Sequence, residues 1–246
     1  MLIWLDGSES AGSAPLRKMA DNHNRFTAVR VLIFDLDGTL IDSKLDLALS
    51  VNAMLEYMRR APLPHDTIYR LVGNGAPVLV RRALSEGAGP SEITDDEVDR
   101  SLAYFLSYYR AHMLDNTVAY PGVREALALL EQLPMAVLTN KPVNFSRAIL
   151  EGLGLSRYFR YVYGGNSFEK KKPDPMGVEV LLRDLNSGAH EAMMVGDSDV
   201  DVQTARNAGI WACGVTYGLG AEGLRANPPD LMLDTLAELP SYVNGR

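Results

Sequence analysis

The chain of 246 residues is long enough to bury a substantial core, and 47% of its residues are hydrophobic. Its net charge of -7, from 24 basic and 31 acidic residues, argues against a nucleic-acid partner, because such binding needs a basic face. The single cysteine, Cys213, leaves no intrachain disulfide and fits a reducing cytoplasm. Since no apolar run approaches the ~18 residues of a membrane helix, we expect no membrane partner.

The first 28 residues show no helical or strand period. Met1–Leu5 is apolar, but it lacks the basic region and the longer apolar stretch of a signal peptide. The residues that follow are rich in Gly, Ser, Ala, Asn and Asp, a composition that buries too little surface to order a chain. We interpret residues 1–28 as an N-terminal tail, for which disorder is the favoured prediction.

Buried strands are predicted at six short apolar runs, because continuous apolarity is typical of strands covered on both faces. From residue 120 onward these runs alternate with helical patterns, such as the one that ends at Gly209. This alternation predicts an α/β fold with a Rossmann-like, mostly parallel sheet. The predicted strands are Val31–Phe34, Met135–Leu138, Tyr161–Tyr163, Met193–Val195, Ile210–Cys213 and Leu231–Leu233.

A helical insertion interrupts the alternation after the first strand. One apolar stripe at helical spacing covers Leu47–Met58 and another covers Val98–Met113, with Thr94 and Glu97 placed as a capping box. This pattern predicts a small all-helical cap domain. The predicted organisation is a tail at 1–28, an α/β core at 29–43 and 116–246, and a cap domain at 44–115.

Two carboxylates follow the first predicted strand, in the segment Asp35-Leu36-Asp37-Gly38-Thr39. Alternate residues of a strand point the same way, so Asp35 and Asp37 would face one point beyond the strand end. Open α/β sheets bind their ligands at that edge. Because neighbouring carboxylates repel each other, a cation or a proton must offset them. The alternative is an exposed acidic turn, since Asp-Gly is a common turn signal.

Polar groups also follow or precede other predicted strands. Thr139-Asn140-Lys141 follows one, Gly196–Asp201 follows another, and Lys172 stands directly before Pro173. If a helix begins after the later strand, Asp197 and Asp201 share one face, and their oxygens suit magnesium. Each segment alone could be a solvated turn or an acidic helix terminus. Their joint occurrence in this order favours one shared site.

At these four segments the chain resembles the haloacid dehalogenase superfamily, over roughly residues 29–243. The resemblance implies that Asp35 attacks phosphorus and forms an aspartyl-phosphate. It implies that Asp37 protonates the leaving oxygen and later deprotonates water. Thr139 would donate to a phosphoryl oxygen, and Lys172 would neutralise charge.

The resemblance also implies a magnesium ion. Its ligands would be the Asp35 side chain, the Asp37 backbone carbonyl and the Asp197 side chain, with Asp201 in support. The dehalogenases of this superfamily need no metal and lack the second aspartate, so Asp37 favours phosphate chemistry.

A narrower resemblance concerns the substrate. The segment Leu71–Ala76 resembles the cap loop of bacterial phosphoglycolate phosphatases, and the segments around Gly122, Gly165 and Tyr217 are also similar to that subfamily. Asn166 departs from it, because the subfamily has an acidic residue there. The glycines of the loop could instead form a plain helix-to-helix turn, and Lys141 could simply sit in a loop. The residues predicted to contact substrate are Gly38, Thr39, Gly73, Asn74, Gly75, Asn140 and Lys141.

The resulting prediction is a cytoplasmic, magnesium-dependent phosphatase, monomeric or homodimeric, that converts a small metabolite such as 2-phosphoglycolate to glycolate. Other small-metabolite phosphatases, a β-phosphoglucomutase-like phosphotransferase, a phosphoacceptor regulatory module and a catalytically silent binding protein are the alternatives. Gly218–Gly223 matches the dinucleotide pattern GxGxxG. Because Pro228 and Pro229 leave no room for a crossover helix, we interpret this segment as a surface loop.

Overall fold

The computed structural model describes residues 25–86 and 93–243. Six of its strands form one sheet in the order β5-β4-β1-β6-β7-β8, and every neighbouring pair is parallel. The other two strands pair with each other in an antiparallel ribbon. The strands are β1 (Val31–Phe34), β2 (Ile41–Asp42), β3 (Val118–Ala119), β4 (Met135–Leu138), β5 (Tyr161–Tyr163), β6 (Ala192–Gly196), β7 (Trp211–Val215) and β8 (Leu231–Leu233).

Both faces of the main sheet are covered, which confirms the predicted α/β fold. Every residue of β1, β4 and β6 is buried. Along β1, Leu32 and Phe34 pack into one hydrophobic cluster, whereas Val31 and Ile33 pack into the cluster on the opposite face. This alternation is the geometry of a strand, and it explains why the sequence there is apolar without interruption.

Ten α-helices and three short 3-10 helices make up the rest of the regular structure in the described residues. The helix predicted to end at Gly209 covers Asp199–Ala208, and Gly209 closes it with φ 68°. The α-helices are α1 (Lys44–Tyr57), α2 (His65–Leu71), α3 (Ala76–Glu86), α4 (Asp95–His112), α5 (Val123–Leu129), α6 (Val143–Gly152), α7 (Met176–Asp184), α8 (Asp199–Ala208), α9 (Gly223–Ala226) and α10 (Leu239–Val243). The 3-10 helices are Ser156–Tyr158, Ala189–Glu191 and Leu236–Glu238.

Four helices, α1 to α4, lie between β2 and β3 in the segment 44–115, which we call the insertion. In its described part, residues 44–86 and 93–115, all regular elements are helices. Thr94 caps α4 by accepting a hydrogen bond from the Glu97 backbone at 3.2 Å. The Glu97 carboxylate pairs with Arg60 at 2.6 Å instead of returning to the cap, so only half of the predicted capping box forms. That the insertion behaves as a separate domain stays a prediction.

The two ends of the insertion are tied together where they leave the core. The ribbon pairs Ile41 with Ala119 and Asp42 with Val118, and two-residue strands are too short for sequence patterns to predict. Behind the ribbon the buried Asp46 carboxylate accepts hydrogen bonds from the backbones of Asn116 and Thr117 and from the Thr117 hydroxyl. Entry and exit of the insertion therefore lie side by side.

The end of the predicted tail belongs to the core. Residues 1–24 lie outside the described residues, but residues 25–28 form a turn in which Phe26 is fully buried. Its ring packs edge-on against Trp211 with centroids 5.2 Å apart. Burial of a phenylalanine contributes about 1.5–3 kcal/mol, which explains why this part of the chain is ordered. None of the described helices has both the length and the apolar character that crossing a bilayer requires.

Candidate active site

The predicted site residues converge at the carboxyl edge of the sheet. Asp35 follows β1, Thr139 follows β4 and Asp197 follows β6, and β1 lies between the other two strands. The Lys172 ammonium reaches this edge from the loop before α7, with Nζ 2.9 Å from Asp35 Oδ1 and 2.6 Å from Asp201 Oδ1. Groups more than a hundred residues apart in the sequence thus meet at one point, which is the position where open α/β sheets bind ligands.

Three carboxylates form the centre of the site. Asp35, Asp197 and Asp201 each place one carboxylate oxygen within 4.8 Å of the others. The pKa of Asp35 is raised to about 6 and that of Asp197 to about 8, mainly by burial; the neighbouring carboxylates contribute to both rises, and Lys172 opposes them. One ammonium does not balance three carboxylates. An all-oxygen donor set with surplus negative charge fits a hard divalent cation such as magnesium.

The loops that follow β1 and β7 surround the Asp197 side chain closely, and we call this surrounding the cradle. The Thr39 hydroxyl donates to Asp197 Oδ1 at 3.2 Å, and the Gly220 amide donates to Oδ2 at 2.8 Å. A Cβ on Gly38 or on Gly218 would overlap the Asp197 side chain, and Gly38 also has φ +85°. Predicted as substrate contacts, Gly38 and Thr39 instead pack against this carboxylate, and neither is among the described residues that line the cleft.

The interpretation of Gly218–Gly223 as a surface loop is wrong for its first half. Leu219 and Gly220 line the cleft, and the Gly220 amide binds Asp197. The Tyr217 hydroxyl donates to the Thr39 backbone at 2.8 Å and so joins this loop to the one after β1. The sequence resemblance around Tyr217 could have predicted that this loop lies at the site. The GxGxxG spacing does not by itself indicate a cofactor.

Asp201 has both of its oxygens engaged. Oδ1 receives Lys172, and Oδ2 accepts hydrogen bonds from the Ser198 backbone at 3.1 Å and from its hydroxyl at 2.7 Å. This carboxylate therefore fixes the direction of the Lys172 ammonium, which suits the supporting position predicted for it. Ser198 was not predicted, although its place as the residue before α8 is typical of a cap.

Asp37 faces different partners from Asp35. Lys141 Nζ donates to its two oxygens at 3.0 and 3.1 Å, and the buried Ser43 hydroxyl donates to Oδ1. Burial alone would lower the pKa of Lys141, but the Asp37 carboxylate outweighs it and raises the pKa above its usual range. Of the two interpretations of Lys141, the structure favours a charged group built into the site. The contact of Ser43 with Asp37 was not predicted, because a serine directly before a helix is usually interpreted as a helix cap.

The loop between α2 and α3 touches the core at this edge. Asn140 Nδ2 donates to the Gly73 carbonyl at 3.3 Å, and Lys171 Nζ donates to the Asn74 carbonyl at 2.7 Å. Gly75 has φ +85°, and a Cβ there would lie 3.1 Å from the Asn140 carbonyl oxygen. Gly75 therefore allows close approach of the two backbones, which a plain helix-to-helix turn would not require, whereas a Cβ on Gly73 would meet no atom within 4 Å.

Asn166, the departure from the subfamily pattern, has a local role. Its Oδ1 accepts a hydrogen bond from the Val143 amide at 2.9 Å, at the first residue of α6. A carboxylate could accept the same bond at a helix N-terminus. The substitution therefore preserves the connection between the loop after β5 and the start of α6.

A cleft of about 70 Å³ runs between the strand ends and the insertion. This volume is several times what one enclosed water needs, so the cleft suits a molecule of few non-hydrogen atoms. Its catalytic end is lined by Asp35, Asp37, Thr139 and Asp197. Its insertion end is lined mainly by the apolar side chains of Leu47, Leu79, Phe105 and Phe145, together with Tyr109.

Comparison with known proteins agrees with this arrangement. The family model for haloacid dehalogenase-like hydrolases matches residues 32–215. A phosphoglycolate phosphatase of Pseudomonas fluorescens (strain Pf0-1) is 41% identical over 214 residues, covering 85% of this chain and 78% of the relative. One from Colwellia psychrerythraea is 40% identical over 217 residues, covering 85% of this chain and 94% of the relative.

A solved structure shows the same fold. The crystal structure of a predicted phosphoglycolate phosphatase from Haemophilus somnus 129pt superposes with a TM-score of 0.83 at 32% identity. The match covers 87% of this chain and 97% of the other. The chain belongs to the haloacid dehalogenase-like hydrolases, and the predicted likeness to bacterial phosphoglycolate phosphatases is confirmed.

Proposed function

We propose that this enzyme is a phosphoric monoester hydrolase whose substrate is a small phosphorylated acid, with 2-phosphoglycolate as the first candidate. The observation that carries the proposal is the grouping of Asp35, Lys172 and two further carboxylates at one strand edge. The names of the relatives at about 40% identity support the same substrate. The small cleft supports a small leaving alcohol.

The residues suit a two-step transfer through Asp35. A carboxylate oxygen of Asp35 bonds to phosphorus while the bond from phosphorus to the ester oxygen breaks. Asp37 gives its proton to that leaving oxygen, which departs as the alcohol group of glycolate. Asp37 then takes a proton from water as the water oxygen attacks phosphorus, which releases inorganic phosphate and restores Asp35.

The other groups bind and orient. The Thr139 hydroxyl lines the cleft beside Asp35 and donates to a phosphoryl oxygen. Lys172, held by Asp201, places positive charge against Asp35. Lys141 and Ser43 orient the Asp37 carboxylate.

Asp35, Asp197 and the Asp37 backbone would hold a magnesium ion. When bound, magnesium lowers the repulsion between the anionic substrate and the carboxylates and stabilises charge in the transition state. The charge surplus of the three carboxylates supports this assignment. Asp201 adds indirect support, because both of its oxygens already have partners.

The test is phosphate release from about thirty phosphorylated metabolites, with magnesium and with EDTA. We expect 2-phosphoglycolate to give the highest kcat/KM and EDTA to stop the reaction. Preference for hexose phosphates would favour a sugar phosphatase or a phosphoglucomutase-like enzyme instead. A long-lived phosphate on Asp35 without turnover would favour a phosphoacceptor module, and metal-independent turnover would contradict the mechanism.

A further inference from the structure

The hydroxyl of Tyr109 lies at the insertion end of the cleft without an acceptor. Tyr109 belongs to α4 and is only 2% exposed, yet it lines the cleft. Its hydroxyl has no hydrogen-bond acceptor within the described part of the chain, and the neighbouring Lys141 ammonium can interact with its oxygen only as a donor. Burying a hydroxyl that has no acceptor costs free energy, because the group loses its hydrogen bonds to water. A hydroxyl of this kind in a cleft wall indicates that a ligand supplies the acceptor.

Lys141 cannot fill this role. Its ammonium lies 4.6 Å from the centroid of the Tyr109 ring and donates to both oxygens of Asp37. An ammonium has donors only, so it cannot accept the proton of the tyrosine hydroxyl. The result is a buried O–H donor and a buried positive charge side by side, a combination that suits an anionic oxygen acceptor.

The ring of Tyr109 is held firmly. Phe105 stacks on it with centroids 5.8 Å apart and planes 3° apart, and Phe145 packs on it at 5.5 Å. The direction of the hydroxyl is therefore fixed by packing before any ligand arrives. Burial raises the pKa of Tyr109 to about 12, so the group keeps its proton at neutral pH.

The rest of the insertion wall has no other polar side chain among the described lining residues. Apart from two glycines, the insertion contributes Leu47, Val72, Ala76, Leu79, Phe105 and Leu106 to the cleft. A substrate whose organic part carried several hydroxyl groups would leave them unpaired against these side chains. One acceptor group on a short carbon chain fits better.

We propose that the Tyr109 hydroxyl determines specificity by donating a hydrogen bond to a carboxylate on the organic part of the substrate. The adjacent Lys141 ammonium adds the attracting charge. Tyr109 comes from the insertion and Lys141 from the core, so the pair recognises the acid only when the two parts meet. This inference rests on the proposed function in assuming that the substrate is a phosphate ester.

The test compares Tyr109→Phe with the wild type on 2-phosphoglycolate and on ethyl phosphate. The two esters have the same two-carbon length, but ethyl phosphate ends in a methyl group instead of a carboxylate. For the variant we expect kcat/KM on 2-phosphoglycolate to fall about tenfold to hundredfold, the size of one hydrogen bond to a charged group. The value on ethyl phosphate should change by no more than about twofold.

Ser101→Ala is the matched control. Ser101 lies on the same helix, is fully buried, and has a hydroxyl without a partner, but it does not line the cleft. Both variants should melt at or above the wild-type temperature, because each removes a buried hydroxyl that lacks an acceptor. Only Tyr109→Phe should lose selectivity. A structural role for the Tyr109 hydroxyl would lower the melting temperature and slow both esters equally, and that result would overturn the proposal.

A binding measurement separates this proposal from the proposed function. In the Asp35→Asn background, which blocks turnover, calorimetry should show that Tyr109→Phe weakens 2-phosphoglycolate binding at least about fivefold. Equal affinity would overturn the role of Tyr109 even if 2-phosphoglycolate is the substrate. Weaker binding by the Phe variant, combined with no turnover of 2-phosphoglycolate by the wild type, would overturn the proposed function alone.

Discussion

The two ends of the cleft are built on different principles. At the catalytic end, charged side chains stand on loops directly after parallel strands, and Asp197 is fixed by hydrogen bonds and by glycines that leave no space. At the insertion end, helices present apolar side chains and Tyr109 has no hydrogen-bond acceptor among the described residues. At the first end the protein's own contacts fix the positions of the charged groups, whereas at the second end a buried donor still lacks an acceptor. This difference indicates that chemistry is determined by the core and selectivity by the insertion.

The strongest expected effect lies at the catalytic end. Asp35→Asn removes the nucleophile, and we expect phosphate release to fall by about 10⁴-fold or more. The fold should survive, because the change relieves repulsion among three clustered carboxylates. Steady-state assays and thermal melting measure the two effects. Asp199→Asn is the control, since Asp199 lies two residues from Asp197 in the acidic segment after β6 but bonds only to Gln203 among its described side-chain partners. Comparable loss in both variants would break the assignment of Asp35.

The second prediction tests the rigidity of the same end. Gly38→Ala forces a Cβ against Asp197 at a backbone φ of +85°. A displacement of about 1 Å in a catalytic group can cost 10²-fold, so we expect a loss of about that size together with weaker magnesium binding. Gly154→Ala is the control, because Gly154 has φ +66° but no atom within 4 Å of its Cβ position. It should lose about 1 kcal/mol of stability and no activity. Unchanged magnesium affinity in Gly38→Ala would show that the cradle does not hold the ion.

The catalytic end could be predicted from the sequence, because its signals are local. A strand of four apolar residues followed by Asp35 specifies both burial and the direction of the carboxylate. The position of Lys172 directly before Pro173 and the acidic segment after β6 are also patterns that a few neighbouring residues define. The parallel sheet then brings them together, since every parallel strand ends at the same edge.

The insertion end could not be predicted in the same way. Tyr109 and Phe105 belong to a regular helical stripe, and periodicity gives the same prediction for a core residue and for a cleft residue. The roles of Ser43 and Gly220 could not be predicted for a related reason. Their roles depend on a distant side chain, Asp37 or Asp197, and pattern reasoning at one position does not include distant partners.

The third prediction probes the contact of Lys141 with Asp37. Lys141→Met keeps the length of the side chain but leaves the Asp37 carboxylate without its cation. We expect kcat to fall about 10–100-fold for both 2-phosphoglycolate and ethyl phosphate, because proton transfer serves every leaving group, and KM to rise for 2-phosphoglycolate alone, because Lys141 also attracts its carboxylate. Lys44→Met is the control, since Lys44 forms an exposed pair with Asp42 and such pairs contribute little. If Lys141→Met slowed only 2-phosphoglycolate, Lys141 would belong to substrate selection and not to the catalytic end.

The smallest predicted effect concerns the contact that joins the two ends. Lys171 belongs to the core, but its ammonium donates to the Asn74 carbonyl in the loop of the insertion at 2.7 Å. The bond is exposed, so its loss in Lys171→Ala should lower kcat/KM only about two- to fivefold, through weaker closure of the loop. Lys170→Ala removes the same charge from the neighbouring position, where Lys170 pairs with Asp174 at 3.4 Å. Equal losses of kcat/KM in the two variants would mean that both lysines merely attract an anionic substrate. In that case high salt would abolish the difference in kcat/KM between each variant and the wild type. A loss confined to Lys171→Ala would show that the insertion must be fastened to the core before the acid is recognised.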